Sequence, residues 1–215
     1  MLFAIFVACM AHHRVVVWKT TALPKQAQFI NTLWPMPTLV YTDSMCADLA
    51  RKWRCKGYFR LDFLDITQAD ICRYMALYDA GGLYSDLDVL PLKTISLGCT
   101  DLCVASEYSN KINFANHFFV AVQHSPCLQR VIQGVCNRAR SSHYNFTLDP
   151  HVIHNVAGPT AFYEIASKCA ELSYGWANTV VKHEIASLNW HDNKTYNGWI
   201  HQRMQKAGWQ HVYQY

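Results

Sequence analysis

The sequence predicts an α/β protein of one domain, residues 1–215, with a mixed, mainly parallel central sheet flanked by helices. Three observations lead there. Short apolar, β-branched runs alternate with longer helical segments. Helix signals separate them: Ser125-Pro126, Gly158-Pro159 and Gly81. A pair of aspartates follows one of the apolar strands, and in such sheets ligands sit at the carboxyl ends of strands.

The totals agree. A chain of 215 residues can bury one sizeable core. With 51% hydrophobic and only 16% charged residues, disorder is excluded. The net charge is +4, and the basic residues cluster no further than Arg51-Lys52, Arg54 and Lys56, so no nucleic-acid footprint is present.

Taken in order, Met1–Ala11 is a continuous apolar run. It lacks a basic n-region and a clear cleavage site and is too short to span a bilayer. It reads as a buried strand, with a truncated anchor as the alternative. Arg14–Trp18, rich in valine, is a central strand. Pro24 and Lys25 open a helix, Gln26–Leu33, that ends before Pro35. Thr38–Tyr41 is a strand, and Asp43 or Ser44 caps a helix reaching Trp53. Leu61–Leu64 is short and extended. Thr67–Ala80 is a helix, and Gly81 suits its left-handed C-cap. Leu83 and Tyr84 begin another strand. Asp101–Ser106 and Phe118–Gln123 are strands, followed by a Ser125-capped helix to Arg140. Thr160–Leu172 is a helix and Thr179–Lys182 a strand. The tail, Trp190–Tyr215, is rich in His, Trp, Asn and Gln. There is no internal repeat or linker.

Nine cysteines are spread along the chain without a C-x-x-C pair. Cys99 and Cys103 alone are too few for a zinc site. The expectation is reduced, mostly buried thiols and an intracellular, cytoplasmic protein. Asn145 and Asn193 open N-glycosylation tripeptides, which occur often by chance.

The chemistry concentrates in Asp70–Pro91. Ile71, Met75 and Tyr78 make one buried stripe of an amphipathic helix, and Asp70, Arg73 and Leu77 fall on a neighbouring face. In a regular strand Asp86 and Asp88 share a face. Two such carboxylates repel unless something positive lies between them. As hard oxygen donors they suit Mg²⁺ or Mn²⁺ with open positions for phosphates. Read alone, the aspartates are also a common surface turn, and Asp70 with Arg73 an ordinary i,i+3 ion pair.

Together, D-x-x-R on the helix and then GG-x-Y-x-D-x-D resemble the DXD sugar-binding region of GT-A glycosyltransferases. The nearest patterns are the capsular-polysaccharide and fungal mannosyltransferase type and the clostridial glucosylating toxins. Looser similarities run outward: Val17-Trp18-Lys19 with Leu23-Pro24, Val40–Asp43, Asn116–Pro126 and Ala157-Gly158-Pro159. The tail departs most from the family pattern.

The resemblance implies a Rossmann-like GT-A domain that binds a nucleotide-sugar. It implies a hexosyl transferase dependent on Mn²⁺ or Mg²⁺, moving a sugar from a nucleoside-diphosphate donor, here a UDP-sugar, to a glycan or protein acceptor with retention. Trp18 would stack on the base, unless it is a core tryptophan. Asp70 and Arg73 would hydrogen-bond the donor sugar. Tyr84 and Asp86 would contact ribose, sugar or phosphate. Lys19, Asn116 and Trp209 complete the donor-binding set. Asp86 and Asp88 are the metal carboxylates, Asp88 binding directly. The third ligand is His201, with His183 and His191 as rivals and a surface histidine as the alternative. Membrane association stays open. Two other readings compete. One is a non-catalytic sugar-nucleotide-binding module. The other is an aspartyl-nucleophile phosphatase, which DLDVL fits loosely although Gly81-Gly82 stands where a longer apolar strand belongs.

Overall fold

A computed structural model describes residues 13–23, 25–59, 65–92, 95, 98–106, 113–141, 152–177 and 181–183. The apolar run at residues 1–11, the segment 61–64 and the tail beyond 183 lie outside these, as do Asn145 and Asn193. Six strands form the main sheet in the order β2 (Thr38–Tyr41), β1 (Arg14–Val17), β3 (Gly82–Ser85), β6 (Phe114–Ala121), β5 (Leu102–Ser106) and β7 (Glu171–Trp176). β1 is parallel to β2 and to β3, and β5 is parallel to β7. β6 alone runs against both of its neighbours. The sheet is therefore mixed and mainly parallel, as the sequence predicts.

Strand alternation divides the core into two layers. Val15, Tyr84 and Phe119 face one side. There they meet α2 (Asp43–Lys52), α3 (Asp65–Ala80), α4 (Pro126–Arg140), α5 (Val152–Val156) and α6 (Pro159–Ala166). Leu83, Phe118 and Val120 face the other side. They meet Ile30 of α1 (Lys25–Thr32), Trp34 beyond it, and a small antiparallel ribbon of β4 (Val89–Pro91) and β8 (Val181–His183).

Helix α3 differs from its expectation. Every residue from Asp70 to Leu77 is buried, so it is a central helix rather than an amphipathic one. The sheet covers it on one side and its helical neighbours enclose the rest, so a stripe pattern has no solvent face to report. Its C-terminus is as expected. Gly81 has φ +71° and its N–H donates to Leu77 O at 2.7 Å. A Cβ there would stand 2.8 Å from Gln123 N. Glycine serves both the left-handed backbone and the close approach.

Three other boundaries move. The cap of α2 is Thr42, whose Oγ1 accepts from Met45 N, one residue before the expected Asp43. β6 begins at Phe114 and ends at Ala121, and His124 then takes a positive φ in the turn. The helix expected over Thr160–Leu172 stops at Ala166, and Glu171–Trp176 is strand β7. A parallel partner, β5, outweighs the local helix pattern there.

The expectation of reduced thiols is overturned. Disulfides join Cys46–Cys72, Cys55–Cys136, Cys99–Cys103 and Cys127–Cys169. Three of them tie helical elements or the turns after them together: α2 to α3, the turn after α2 to α4, and the start of α4 to the turn after α6. Cys9 is the remaining cysteine and lies outside the described residues. No described helix is long and apolar enough to cross a membrane.

Cys55–Cys136 closes the longest loop, with a sequence separation of 81. Loop-closure entropy assigns such a bridge about 4 kcal/mol. Replacing both cysteines by alanine is expected to lower the urea-unfolding free energy by several kcal/mol. A loss under about 1 kcal/mol would show that the two positions are not bridged in the folded protein.

Candidate active site

β1, β2 and β3 run in one direction, so their carboxyl ends lie along one edge. Trp18 follows β1, Asp43 follows β2 and Asp86 follows β3. Antiparallel β6 brings Asn116 and His117 to the same edge, where Asp86 N–H donates to His117 O at 3.0 Å. This is where ligands of such sheets bind.

Behind the edge lies a buried network. On α3 the Arg73 guanidinium meets Asp70 Oδ1 at 2.8 Å and Asp86 Oδ1 at 3.3 Å. It also donates to Asn116 O at 2.8 Å and stands 5.1 Å from the Tyr84 ring. Asn116 Nδ2 donates to Asp70 Oδ1 at 3.2 Å, and the Tyr84 hydroxyl donates to Asp86 Oδ1 at 2.6 Å. Tyr84 itself is stacked on Phe119 with centroids 5.1 Å apart. Tyr74 anchors the far side by donating to Ala157 O at 2.8 Å. The structure thus brings together Asp70, Arg73, Tyr84, Asp86 and Asn116. Asp70 and Arg73 do form the i,i+3 ion pair, but at 4% and 5% exposure it is a buried pair and not a surface one.

Charge follows from this burial. Desolvation pushes the Asp70 carboxyl up to about 6, although Arg73 and Asn116 pull it down. Burial also disfavours the Arg73 cation. Asp86, then Tyr84 and Asp70, outweigh that penalty and raise its pKa well above the ordinary value. Arg73 Nε is buried without a hydrogen-bond partner, an unspent donor that costs about 1–3 kcal/mol.

The two aspartates do not share a regular strand. β3 ends at Ser85, and Asp86–Asp88 lie in a turn closed by Val89 N–H donating to Asp86 O at 3.2 Å. The cause is that β6 stops pairing in register beyond Phe118, opposite Ser85. Asp88 is 5% exposed. The positive charge expected between the carboxylates is supplied in part by the chain itself, through Arg73 at Asp86.

Sequence reasoning missed Arg14 and Trp34. Arg14 is fully buried on the opposite face of the sheet from α3. It donates to Ser85 Oγ, to Asn31 Oδ1 at 3.1 Å and to Asp86 O at 2.7 Å. Burial lowers its pKa to about 10, against the pull of Tyr84, Asp86 and Asp88. Trp34 Nε1–H donates to Val89 O at 3.1 Å. The available signal was a single arginine opening the run RVVVW.

Past the carboxyl ends of β1 and β2 lies a cleft of about 240 Å³ lined by Trp18, Lys19, Asp43, Phe59, Gln68 and the Cys46–Cys72 bridge, among others, and by no residue of the Asp86–Val89 turn. Trp18 is half-buried, packed partly against Val16, Ala27 and Leu87, so it is not enclosed in the main core. Phe59 is 44% exposed at the cleft.

Of the proposed third ligands, His201 and His191 lie outside the described residues, as does Trp209. The backbone of His183 pairs with Val89, the residue after Asp88. Among the described residues no group of three or more His, Cys, Asp or Glu side chains could hold a metal ion by itself. What is present, two carboxylates at a ligand-binding edge, fits Mg²⁺ or Mn²⁺, which take one or two carboxylates and complete their shell with phosphate oxygens and water.

Residues 9–116 match the family model described as the glycosyltransferase sugar-binding region containing the DXD motif. Among solved structures the chain is similar to the PaToxG glycosyltransferase, with a TM-score of 0.52 and 14% identity, covering 93% of this chain and 79% of that one. At that identity the likeness shows the fold alone. No curated protein is similar enough to match. The family match spans half of the chain and includes every residue of the buried network, and the chain belongs to the DXD-containing glycosyltransferase family.

Proposed function

We propose that this protein transfers a hexose from a UDP-sugar to a glycan or protein acceptor, in a reaction that needs Mn²⁺ or Mg²⁺ and retains the anomeric configuration. The observation that carries the reading is the sharing of one sheet edge by the Asp70–Arg73–Asp86 network, Asp88 and the Trp18 cleft. Trp18 stacks on the base, with Lys19 at the cleft wall. Asp88 is the direct metal ligand, as the family resemblance implies, and Asp86 Oδ1 meets Arg73 and Tyr84. Asp86 is the second carboxylate and His201 the third ligand, with His183 its rival on backbone placement. Asp70 and Arg73 hold the sugar, and Asn116 and Trp209 border it. Tyr84 gives its hydroxyl to Asp86 and so holds that carboxylate beside the donor.

Transfer breaks the bond between the anomeric carbon and a diphosphate oxygen. Negative charge grows on the leaving group while the sugar becomes oxocarbenium-like. A divalent ion supplies Lewis-acid stabilisation of that charge, typically several kcal/mol. The chain orients the sugar through Asp70 and Arg73, whose positions are fixed before substrate arrives. The four disulfides suit an oxidising compartment rather than the cytosol.

Incubation with UDP-sugars and Mn²⁺ is expected to release free UDP, and Asp88→Asn to abolish both the release and Mn²⁺-dependent UDP binding by calorimetry. Binding without release under every donor would support the non-catalytic module instead. Unchanged Mn²⁺ and UDP binding in Asp88→Asn would refute the metal assignment.

Asp70 generates a separate expectation. Asp70→Asn keeps UDP affinity within about twofold but lowers kcat/KM for the UDP-sugar at least tenfold, or about 1.4 kcal/mol. The carboxyl accepts sugar hydroxyls best when ionised, so wild-type kcat/KM falls as pH drops below about 6, and the variant lacks that limb. Stability runs the other way. The folded pKa is raised, so the contribution of Asp70 is full below 3.8 and is lost as pH rises through about 6. An acid limb of equal position in Asp70→Asn would assign it to another group.

A further inference from the structure

We propose that Arg14 and Trp34 are positioning residues that fix the Asp86–Val89 turn, and with it the two carboxylates, from the face of the sheet opposite α3. The inference deepens the metal-dependent reading above and rests on it.

The turn is held at both ends by side chains from the α1 side of the sheet. Its first carbonyl, Asp86 O, accepts from Arg14 at 2.7 Å. Its last, Val89 O, accepts from Trp34 Nε1 at 3.1 Å. The two holders are themselves joined, since the Arg14 guanidinium lies 4.8 Å from the Trp34 ring centroid. Arg14 reaches three elements at once: Ser85 on β3, Asp86 in the turn and Asn31 on α1. Asn31 Oδ1 also accepts from Thr38 Oγ1 on β2, which ties the α1 end of the fork to the sheet.

A planar fork of donors can meet acceptors in three directions, and an ammonium cannot reproduce it. Packing alone does not call for arginine at this point. A buried cation costs several kcal/mol of desolvation, and an apolar side chain fills a core more cheaply. What the arginine adds is one donor on the Asp86 carbonyl, held in place by its other two nitrogens on Ser85 Oγ and Asn31 Oδ1. Asp86 is consequently fixed twice, its carboxylate by Arg73 and Tyr84 and its carbonyl by Arg14. Asp88, two residues on, depends on that turn for its direction.

The test titrates Mn²⁺ into the whole protein at saturating UDP, by calorimetry and by the electron paramagnetic signal of free Mn²⁺. Arg14→Lys and Trp34→Phe are compared with wild type and with Val131→Ala, a core truncation on α4 that lowers stability away from the turn. Loss of residues that orient metal ligands typically costs about 10–100-fold in affinity, so Arg14→Lys is expected to weaken Mn²⁺ at least about tenfold. Trp34→Phe, which keeps the ring and loses the donor, is expected to weaken it at least about threefold. Metal-free UDP affinity stays within about twofold in both, because the base cleft does not use these residues. Val131→Ala leaves Mn²⁺ affinity at the wild-type value. Wild-type Mn²⁺ affinity in a folded Arg14→Lys, or an equal loss in Val131→Ala, would overturn the proposal. If Arg14→Lys does not fold, Trp34→Phe decides by its own threshold. A wild-type protein that binds neither UDP nor Mn²⁺ would instead refute the metal-dependent reading, and this inference with it.

Discussion

The contact between buried Arg73 and partly exposed Asp86 is the interaction on which the rest of the site depends. It spans 3.3 Å between a central helix and the turn after a central strand. A buried guanidinium persists only if most of its donors are met. Asp70 and Asn116 join Asp86 in meeting them and Tyr84 holds Asp86, which is why residues from α3, β6 and β3 converge on one point. Arg14 and Trp34 complete the constraint from the other face. The turn that carries both aspartates lies between two sets of fixed donors.

This arrangement asks for a rigid surround, and the fold supplies one. α3 is enclosed over Asp70–Leu77, and Cys46–Cys72 bonds it to α2 beside the cleft. Tyr74 stacks on Phe162 of α6 with centroids 5.2 Å apart. Gly57 lets the turn after α2 lie directly on α4, where a Cβ would come within 2.5 Å of Ala139 C. The bridge and the stacked ring restrain the helix that carries Asp70 and Arg73 directly. Preorganised dipoles and charges need no rearrangement when a sugar-diphosphate bond breaks.

Much of this was legible in the sequence because it is local. Asp70, Arg73, Gly81 and the two aspartates lie within one short stretch, and the glycine conformation follows from its position after the helix. The strand–helix alternation and the Ser125 and Gly158 helix starts were legible for the same reason. What was not legible is set by distant partners. Arg14 reads as the start of a valine strand until β3 and the Asp86 carbonyl lie beside it. β7 is a strand through its partner β5 and carries helix-like residues before it. Disulfide pairing is a three-dimensional property, and an odd count without a spacing motif pointed away from it. The aspartates looked like a strand because their spacing is that of one, while pairing with β6 ends at Ser85.

In the proposed reaction this edge binds a nucleotide-sugar diphosphate through Asp88 and a divalent ion. The most direct measurement is a crystal structure with UDP and Mn²⁺, using anomalous scattering to locate manganese. The account predicts an anomalous peak within coordination distance of the Asp88 carboxylate and in contact with the diphosphate, with the uracil against Trp18. Ordered UDP with manganese elsewhere, or a base lodged away from Trp18, would contradict it.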